Sequence, residues 1–158
     1  MVKRDSTHLS MVRLHPATSN KMNLDNYKIR TISDADFWYI PEFVEAPLRE
    51  EIFERLKAEI DWRQNYMTFY GRQVSLPRLN SYYGLKDYLY SGITNKARDF
   101  PPIIELIRSK INEKISGFSK TFNSVLLNYY RDRNDSISAH SDDESSLGAN
   151  PKIVSLSL

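Results

Sequence analysis

Two residues near the end of the chain, His140 and Asp142, have the types and spacing that can hold a metal ion. Residues two positions apart project to the same side of an extended chain, so this imidazole and this carboxylate can contact one cation. Such a pair supplies two of the three ligands in the two-His-one-carboxylate face that binds non-haem Fe(II) and leaves positions open for a co-substrate and oxygen. The triplet alone is a weak signal, because most His-x-Asp pairs are surface polar residues.

The segments around this pair strengthen the metal interpretation. Residues 122–130 form an apolar run rich in β-branched and aromatic residues, which predicts a buried strand. A turn-forming cluster at 132–135 follows, and a short extended segment around Ile137 then delivers His140. The full order is Asn-x-Tyr, turn, His-x-Asp-x-Glu, Pro-x-Ile-x-Ser-Leu-Ser. In these motifs the chain resembles the AlkB family of 2-oxoglutarate- and Fe(II)-dependent dioxygenases, especially its eukaryotic DNA-repair branch.

The resemblance implies an enzyme that removes alkyl groups oxidatively, with Fe(II) as the metal and 2-oxoglutarate as the co-substrate. An N-alkyl carbon is hydroxylated and leaves as an aldehyde, and the protein orients and shields the reacting groups. The iron ligands that it implies are His140 and Asp142. Asn128 and Tyr130 match positions that hydrogen-bond 2-oxoglutarate. Glu144 matches an acidic position that contacts the flipped base or the neighbours of the metal site.

Alternating residues on either side of Gly71 predict a β-hairpin. An ordinary hairpin with exposed aromatics explains this pattern equally well. Aromatics beside arginines at a tip are also what a protein needs to enter a base stack while it holds phosphates. The segment resembles the family's DNA-gripping hairpin, and the substrate-binding positions that this implies are Phe69, Tyr70, Gly71 and Arg72. Duplex-specific members carry an apolar wedge just before the glycine, where this chain has a tyrosine.

Residues 77–92 continue the resemblance as the nucleotide-recognition lid, with a Pro-Arg…Tyr-Gly…Tyr-x-aromatic-Ser-Gly pattern. It implies that Tyr88 helps to hold an extruded base and that Arg78 braces the DNA. Extrusion is required because the target atom lies inside a stacked duplex. For three other tyrosines of the segment we favour a packing role: Tyr82, Tyr83 and Tyr90.

The expected fold class is α+β: a partial double-stranded β-helix (jelly roll) with an N-terminal helix and hairpin lid. A strand is predicted at 37–40, and a helix opening at Pro47 has an apolar face. The members of that face are Leu48, Ile52, Phe53, Leu56 and Ile60. A second helix begins at 100–102 and is capped at Gly117. Its buried stripe is predicted to contain Ile103, Ile104, Ile107, Ile111 and Ile115.

Composition bounds the remaining possibilities. Residues 1–35 are polar and basic and predict a disordered tail, before one dioxygenase-like domain at 36–158. The chain has no cysteine, which excludes a disulfide framework or a thiolate metal site. The net charge of +2 means that a DNA-binding surface must arise from local clustering. No run has membrane-spanning length, so we expect a soluble nuclear monomer with DNA, and no membrane, as its partner.

The resemblance also implies that the domain is incomplete at its C-terminus. Family members continue past the position of Leu158 with a second histidine ligand and two arginines that fix 2-oxoglutarate, so the third iron ligand is absent from this chain. Two ligands make a weak iron site, and a half barrel has unpaired strand edges. We therefore expect the 158-residue chain alone to bind Fe(II) poorly and to turn over slowly or not at all.

Three other interpretations remain open at this stage. One is an oxygenase with the same core that acts on RNA or protein, and RNA would favour single-strand stacking without a duplex wedge. Another is a non-catalytic module that binds damaged DNA. The third is a structural jelly-roll protein with a chance His-x-Asp.

Overall fold

A computed structural model describes residues 23–29, 37–90, 93–115, 122–140, 147 and 152–158. Within these residues the chain combines two α-helices with strands that pair only in antiparallel fashion. In chain order the elements are a 3-10 helix Leu24–Tyr27, β1 Lys28–Ile29, β2 Phe37–Trp38, α1 Ala46–Glu59, β3 Arg63–Phe69, β4 Arg72–Gly84, β5 Tyr88–Tyr90, β6 Ile93–Asn95, α2 Pro102–Lys114 and β7 Ser124–Tyr129. The structure is therefore of the mixed helix and sheet type that the sequence predicts, and the jelly roll and its lid stay predictions.

The main sheet has the strand order β3-β4-β7, with β4 in the centre. The hairpin of β3 and β4 runs from the pair Arg63↔Asn80 to the pair Phe69↔Arg72, with a bulge between Gln64 and Tyr66. A proline is tolerated in a strand beside such an irregularity, and β4 has Pro77 there. On its other side β4 pairs with β7 from Leu79↔Tyr129 to Gly84↔Ser124. β4 therefore pairs with β3 over its first part and with β7 over its second, the two ladders overlap at Leu79 and Asn80, and most of the second half is buried.

Helix α1 begins as its sequence predicts and ends against an aromatic side chain. Pro47 lies in its first turn, where a missing N–H leaves no helical hydrogen bond unmade. At the other end Ile60 is extended and its amide donates to the Leu56 carbonyl. The indole of Trp62 donates to the same carbonyl at 3.2 Å. This end of the helix is thus fixed where the chain enters β3.

The core lies between the two helices and one face of the sheet. All five isoleucines predicted for the α2 stripe are buried, which confirms that helix and its orientation. They share one cluster with Ile52 and Leu56 of α1, Tyr83 of β4 and Leu127 of β7. Burying one such aliphatic side chain stabilises a fold by roughly 1.5–3 kcal/mol, so this cluster holds the helices to the sheet.

Two predictions differ from the structure in detail. Residues 23–29 belong to the predicted tail, yet they form the 3-10 helix and β1, which pairs with β2. The reason is that Leu24 packs on the core and the Asn23 side chain accepts from the Asp25 amide. The strand predicted at 37–40 is only two residues long, Phe37–Trp38. Residues 1–22, 30–36 and Gly117 lie outside the described part. No helix in the described part is long and apolar enough to span a bilayer.

Candidate active site

The two faces of β7 separate core residues from polar ones. Leu127 is fully buried, and Tyr129 contacts the rings of Phe53 and Trp62 at centroid distances of 6.2 and 5.4 Å. Because neighbouring residues of a strand point to opposite sides, Asn128 lies on the sheet face away from the helices. Tyr130, directly after the strand, continues this alternation and is half-buried.

The same face of β4 carries further polar side chains. Asn80 is paired directly with Asn128, and Tyr82 with Leu126. Arg78 lies two residues before Asn80, so it shares this side. We call these five residues, Arg78, Asn80, Tyr82, Leu126 and Asn128, the site face.

The amide of Asn128 is held in one orientation. Its Oδ1 accepts hydrogen bonds from Arg78 Nε at 3.0 Å and from Asn80 Nδ2 at 2.6 Å. Both partners are donors, so the oxygen must point at them and the Nδ2 group points elsewhere. Within the described residues Nδ2 makes no hydrogen bond. Asn128 therefore offers a fixed donor, which suits a carboxylate ligand.

Arg78 is placed differently from a surface arginine that grips a phosphate. It is only 5% exposed, and besides Asn128 its guanidinium donates to the carbonyl of Ser136 at 3.3 Å. The Ser136 amide in turn donates to the Pro77 carbonyl at 2.8 Å. Arg78 thus connects β4 and β7 to the segment that leads to His140, and its contact with DNA stays a prediction.

The structure confirms the turn predicted at residues 132–135, directly after β7. The Asp135 carboxylate accepts from the Arg131 side chain, with Nε at 2.6 Å and Nη2 at 2.9 Å, and from the Arg131 amide at 3.0 Å. These hydrogen bonds lower the pKa of Asp135 below its ordinary value. Asp132 accepts from the Asn134 amide, as turn residues of this type do.

His140 is exposed, and its Nδ1 lies 2.9 Å from the Ser138 carbonyl. With the proton on Nδ1, the ring donates to that carbonyl and the lone pair lies on Nε2, which is how metal-bound histidines are commonly oriented. The imidazole therefore fits the role of an iron ligand. Asp142 and Glu144 lie outside the described residues, within which no three His, Asp or Glu side chains are grouped as a metal site. The ligand pair stays a prediction.

The predicted hairpin tip is confirmed. Phe69 and Arg72 form the last pair of β3 and β4, and the two residues between them have positive φ angles, 48° for Tyr70 and 74° for Gly71. Left-handed conformation at both central residues is typical of tight hairpin turns. The Tyr70 side chain is 91% exposed and its ring meets that of Phe69 edge-on at 4.6 Å. The tip thus presents two aromatic rings to solvent beside Arg72.

The predicted lid contains a small hairpin of β5 and β6 and a stacked pair of tyrosines. The ring of Tyr88 stacks on that of Tyr82 at 5.5 Å with 23° between the planes. Tyr82 Oη donates to the Lys86 carbonyl at 2.7 Å, and burial raises the pKa of this phenol. Tyr82 and Tyr83 are both buried, which confirms their packing role, while the side chain of Tyr90 lies outside the described ones.

The site contains one residue, Asn80, that the sequence analysis did not identify. Asn80 orients Asn128, but the two lie 48 positions apart and only the register of β4 and β7 brings them together. Asn80 Oδ1 is also buried and has no hydrogen-bond partner within the described residues. A buried acceptor of this kind costs about 1–3 kcal/mol, so few such atoms occur in native structures.

Comparison with known proteins agrees with this arrangement. Residues 36–158 match the 2OG-Fe(II) oxygenase superfamily, and the chain belongs to that family. It is 40% identical over 118 residues to mouse alpha-ketoglutarate-dependent dioxygenase alkB homolog 3, in an alignment that covers 74% of this chain and 40% of that protein. It is 34% identical over 114 residues to the human DNA oxidative demethylase ALKBH2, over 68% of this chain and 42% of the relative.

These relatives confirm the resemblance to the DNA-repair branch of the AlkB family. The metal and co-substrate named in the family description, Fe(II) and 2-oxoglutarate, are those that the motifs imply. The chain spans about two fifths of the length of the relatives that it matches.

Proposed function

We propose that this chain acts in the oxidative demethylation of N-alkylated bases in DNA, a direct-reversal repair reaction that uses Fe(II), 2-oxoglutarate and O2. The observation that carries the proposal is the oriented amide of Asn128, whose oxygen is occupied by Arg78 and Asn80 and whose Nδ2 is left to donate. A buried scaffold that presents one fixed donor beside the segment leading to His140 is suited to a dicarboxylate co-substrate near a metal.

His140 and Asp142 would hold the iron, and Asn128 and Tyr130 would hydrogen-bond 2-oxoglutarate. Bound iron with 2-oxoglutarate and O2 supplies the oxidant for an N-alkyl carbon, and the alkyl group then leaves as an aldehyde. The protein's part is to hold the co-substrate through Asn128 and to keep the His140 ring oriented through Ser138.

The proposed DNA contacts lie on the hairpin tip and the lid. Tyr70 and Phe69 are exposed aromatic rings suited to enter a base stack, and Arg72 lies beside them for a phosphate. Tyr88, stacked on Tyr82, offers an aromatic surface for the extruded base, which Glu144 would contact. The proposed setting is a monomer acting in the nucleus on double-stranded DNA.

The test is release of aldehyde from N-methylated oligonucleotides, single-stranded and duplex, with iron and 2-oxoglutarate present or withheld. We expect aldehyde only when both are present. Tyr70→Ala should lower the affinity for the methylated duplex roughly tenfold relative to the single strand, which is the contribution of one stacked base to binding. Tyr66→Ala is the matched control, because Tyr66 is an exposed tyrosine of the same hairpin away from its tip.

The other outcomes separate the competing interpretations. Equal DNA affinity with and without iron and 2-oxoglutarate, and no aldehyde, would indicate a damage-binding module instead. Turnover of single-stranded RNA well above that of DNA would indicate an RNA demethylase. Robust turnover by the 158-residue chain alone would contradict our expectation that it is a weak enzyme.

A further inference from the structure

The β5–β6 hairpin is short and is not part of the main sheet. A two-stranded hairpin is marginally stable in water by itself. This one has three residue pairs, from Tyr88↔Asn95 to Tyr90↔Ile93, and its base is closed by an ion pair of Lys96 with Asp87 at 2.7 Å. That ion pair joins the two ends of the hairpin to each other, and contacts of other residues attach the hairpin to the main sheet.

Arg98, three residues after β6, supplies that attachment. Its guanidinium donates to the Tyr82 carbonyl at 3.0 Å, to Ser81 Oγ at 2.7 Å and to Asp61 Oδ2 at 2.8 Å. The same group lies 4.4 Å from the centre of the Tyr83 ring. One side chain therefore contacts three successive residues of β4 and Asp61, which lies between α1 and β3.

The main chain at Arg98 strengthens this attachment. The carbonyl of Arg98 accepts from the Gly84 amide at 3.1 Å, which forms an isolated bridge to the end of β4. Gly84 has no side chain for a steric reason, because a Cβ there would lie 2.5 Å from Tyr82 Oη. The Tyr82 phenol thus occupies the space over Gly84, next to the place where Arg98 meets the sheet.

The position of Tyr88 depends on Tyr82, which is held at its carbonyl and at its hydroxyl. Tyr88 stacks on Tyr82, and Tyr82 is held by Arg98 at its carbonyl and by the Lys86 carbonyl at its hydroxyl. We propose that Arg98 is a positioning residue that fixes the β5–β6 hairpin against β4, so that the stacked Tyr82–Tyr88 pair can receive a nucleobase. The claim that a nucleobase binds there rests on the proposed function, whereas the claim that Arg98 anchors the hairpin does not.

Two measurements on Arg98→Ala and Arg98→Lys test the two halves separately. Hydrogen exchange of the Gly84 amide, which donates to the Arg98 carbonyl, reports whether the hairpin is anchored. Quenching of 2-aminopurine in a single-stranded oligonucleotide reports whether a base stacks on a tyrosine. We expect exchange to quicken and oligonucleotide affinity to fall, each about tenfold, because charge-assisted hydrogen bonds are lost. Lysine should not rescue, since it lacks the planar fork that reaches three acceptors and stacks on Tyr83.

Arg63→Ala is the matched control, because Arg63 pairs with the same Asp61 oxygen at 2.7 Å but is largely exposed. It should change neither readout. Unchanged hydrogen exchange in Arg98→Ala would show that Arg98 does not anchor the hairpin. Faster exchange with unchanged 2-aminopurine quenching would show that the anchoring does not affect base stacking. If the unmodified protein does not quench 2-aminopurine, the proposed binding of a base at the lid is wrong. Hydrogen exchange then still tests whether Arg98 anchors the hairpin. Unchanged exchange of the Leu127 amide shows that the variants are folded.

Discussion

At the residue scale, Asn128 joins the interior of the sheet to the proposed co-substrate. Its Oδ1 accepts hydrogen bonds from Arg78 and Asn80, and its Nδ2 group can donate to a ligand. These two functions of one amide can be separated by substitution, because aspartate retains the oxygens and lacks the N–H group.

We predict that Asn128→Asp keeps the fold and loses the co-substrate. The new carboxylate still accepts from Arg78 and Asn80, so the free energy of unfolding should change little. Affinity for 2-oxoglutarate should fall by about tenfold or more, because a hydrogen bond to a charged group contributes roughly 1.5–3 kcal/mol and like charges now repel. Calorimetric titration with a redox-silent divalent metal in place of iron measures this affinity.

Asn123→Asp is the control for the added charge, since Asn123 lies on the exposed chain just before β7. It should leave 2-oxoglutarate affinity as it is. Equal affinity of Asn128→Asp and the unmodified protein would remove Asn128 from the proposed site, whatever the family resemblance implies.

At the element scale, the turn between β7 and His140 is closed by one carboxylate. Asp135 has a lowered pKa because Arg131 hydrogen-bonds its charged form. A lowered pKa means that this contribution is fully present above the unfolded value of about 3.9 and is lost as pH falls through the folded value. The turn should therefore be insensitive to pH near neutrality and loosen only in acid below pH 4 or so.

Asp135→Asn should remove that acid dependence and weaken the turn only modestly at neutral pH, because a partly exposed ion pair contributes little to stability. Exchange of the amides of Asn134, Asp135 and Ser136, followed from pH 7 to 3, measures both effects. Asp99→Asn, at an exposed aspartate before α2, is the control and should change neither the acid dependence nor the stability of the turn. An unaltered acid profile in Asp135→Asn would show that another group controls the turn.

Elements also differ in how far local sequence determines them. The α2 stripe and the Gly71 hairpin follow from periodicity and turn chemistry, and both agree with the structure. The pairing of β1 with β2 and the anchoring by Arg98 depend on partners distant in the chain, Trp38 and Tyr82 among them, and no local pattern indicates them. For the site, the sequence indicated Asn128 but not Asn80, because that contact exists only once the register of β4 and β7 is set.

At the scale of the whole molecule, one apolar cluster holds both helices to the strands that carry the site. Ile107 of α2 is fully buried in this cluster, which also contains Leu127, the neighbour of Asn128 in β7. The site face itself consists mainly of polar side chains, so its geometry depends on the opposite side of the sheet staying packed.

We predict that Ile107→Ala lowers the free energy of unfolding by about 2–5 kcal/mol, through lost burial and the cavity left behind. Leu106→Ala is the matched control, because Leu106 is the preceding residue of the same helix and is 42% exposed, and it should cost less than about 0.5 kcal/mol. Urea unfolding followed by tryptophan fluorescence measures both, since Trp62 packs against this cluster. Equal costs for the two variants would mean that α2 is not held to the sheet by its isoleucine stripe, and the orientation of Asn128 would then need another support.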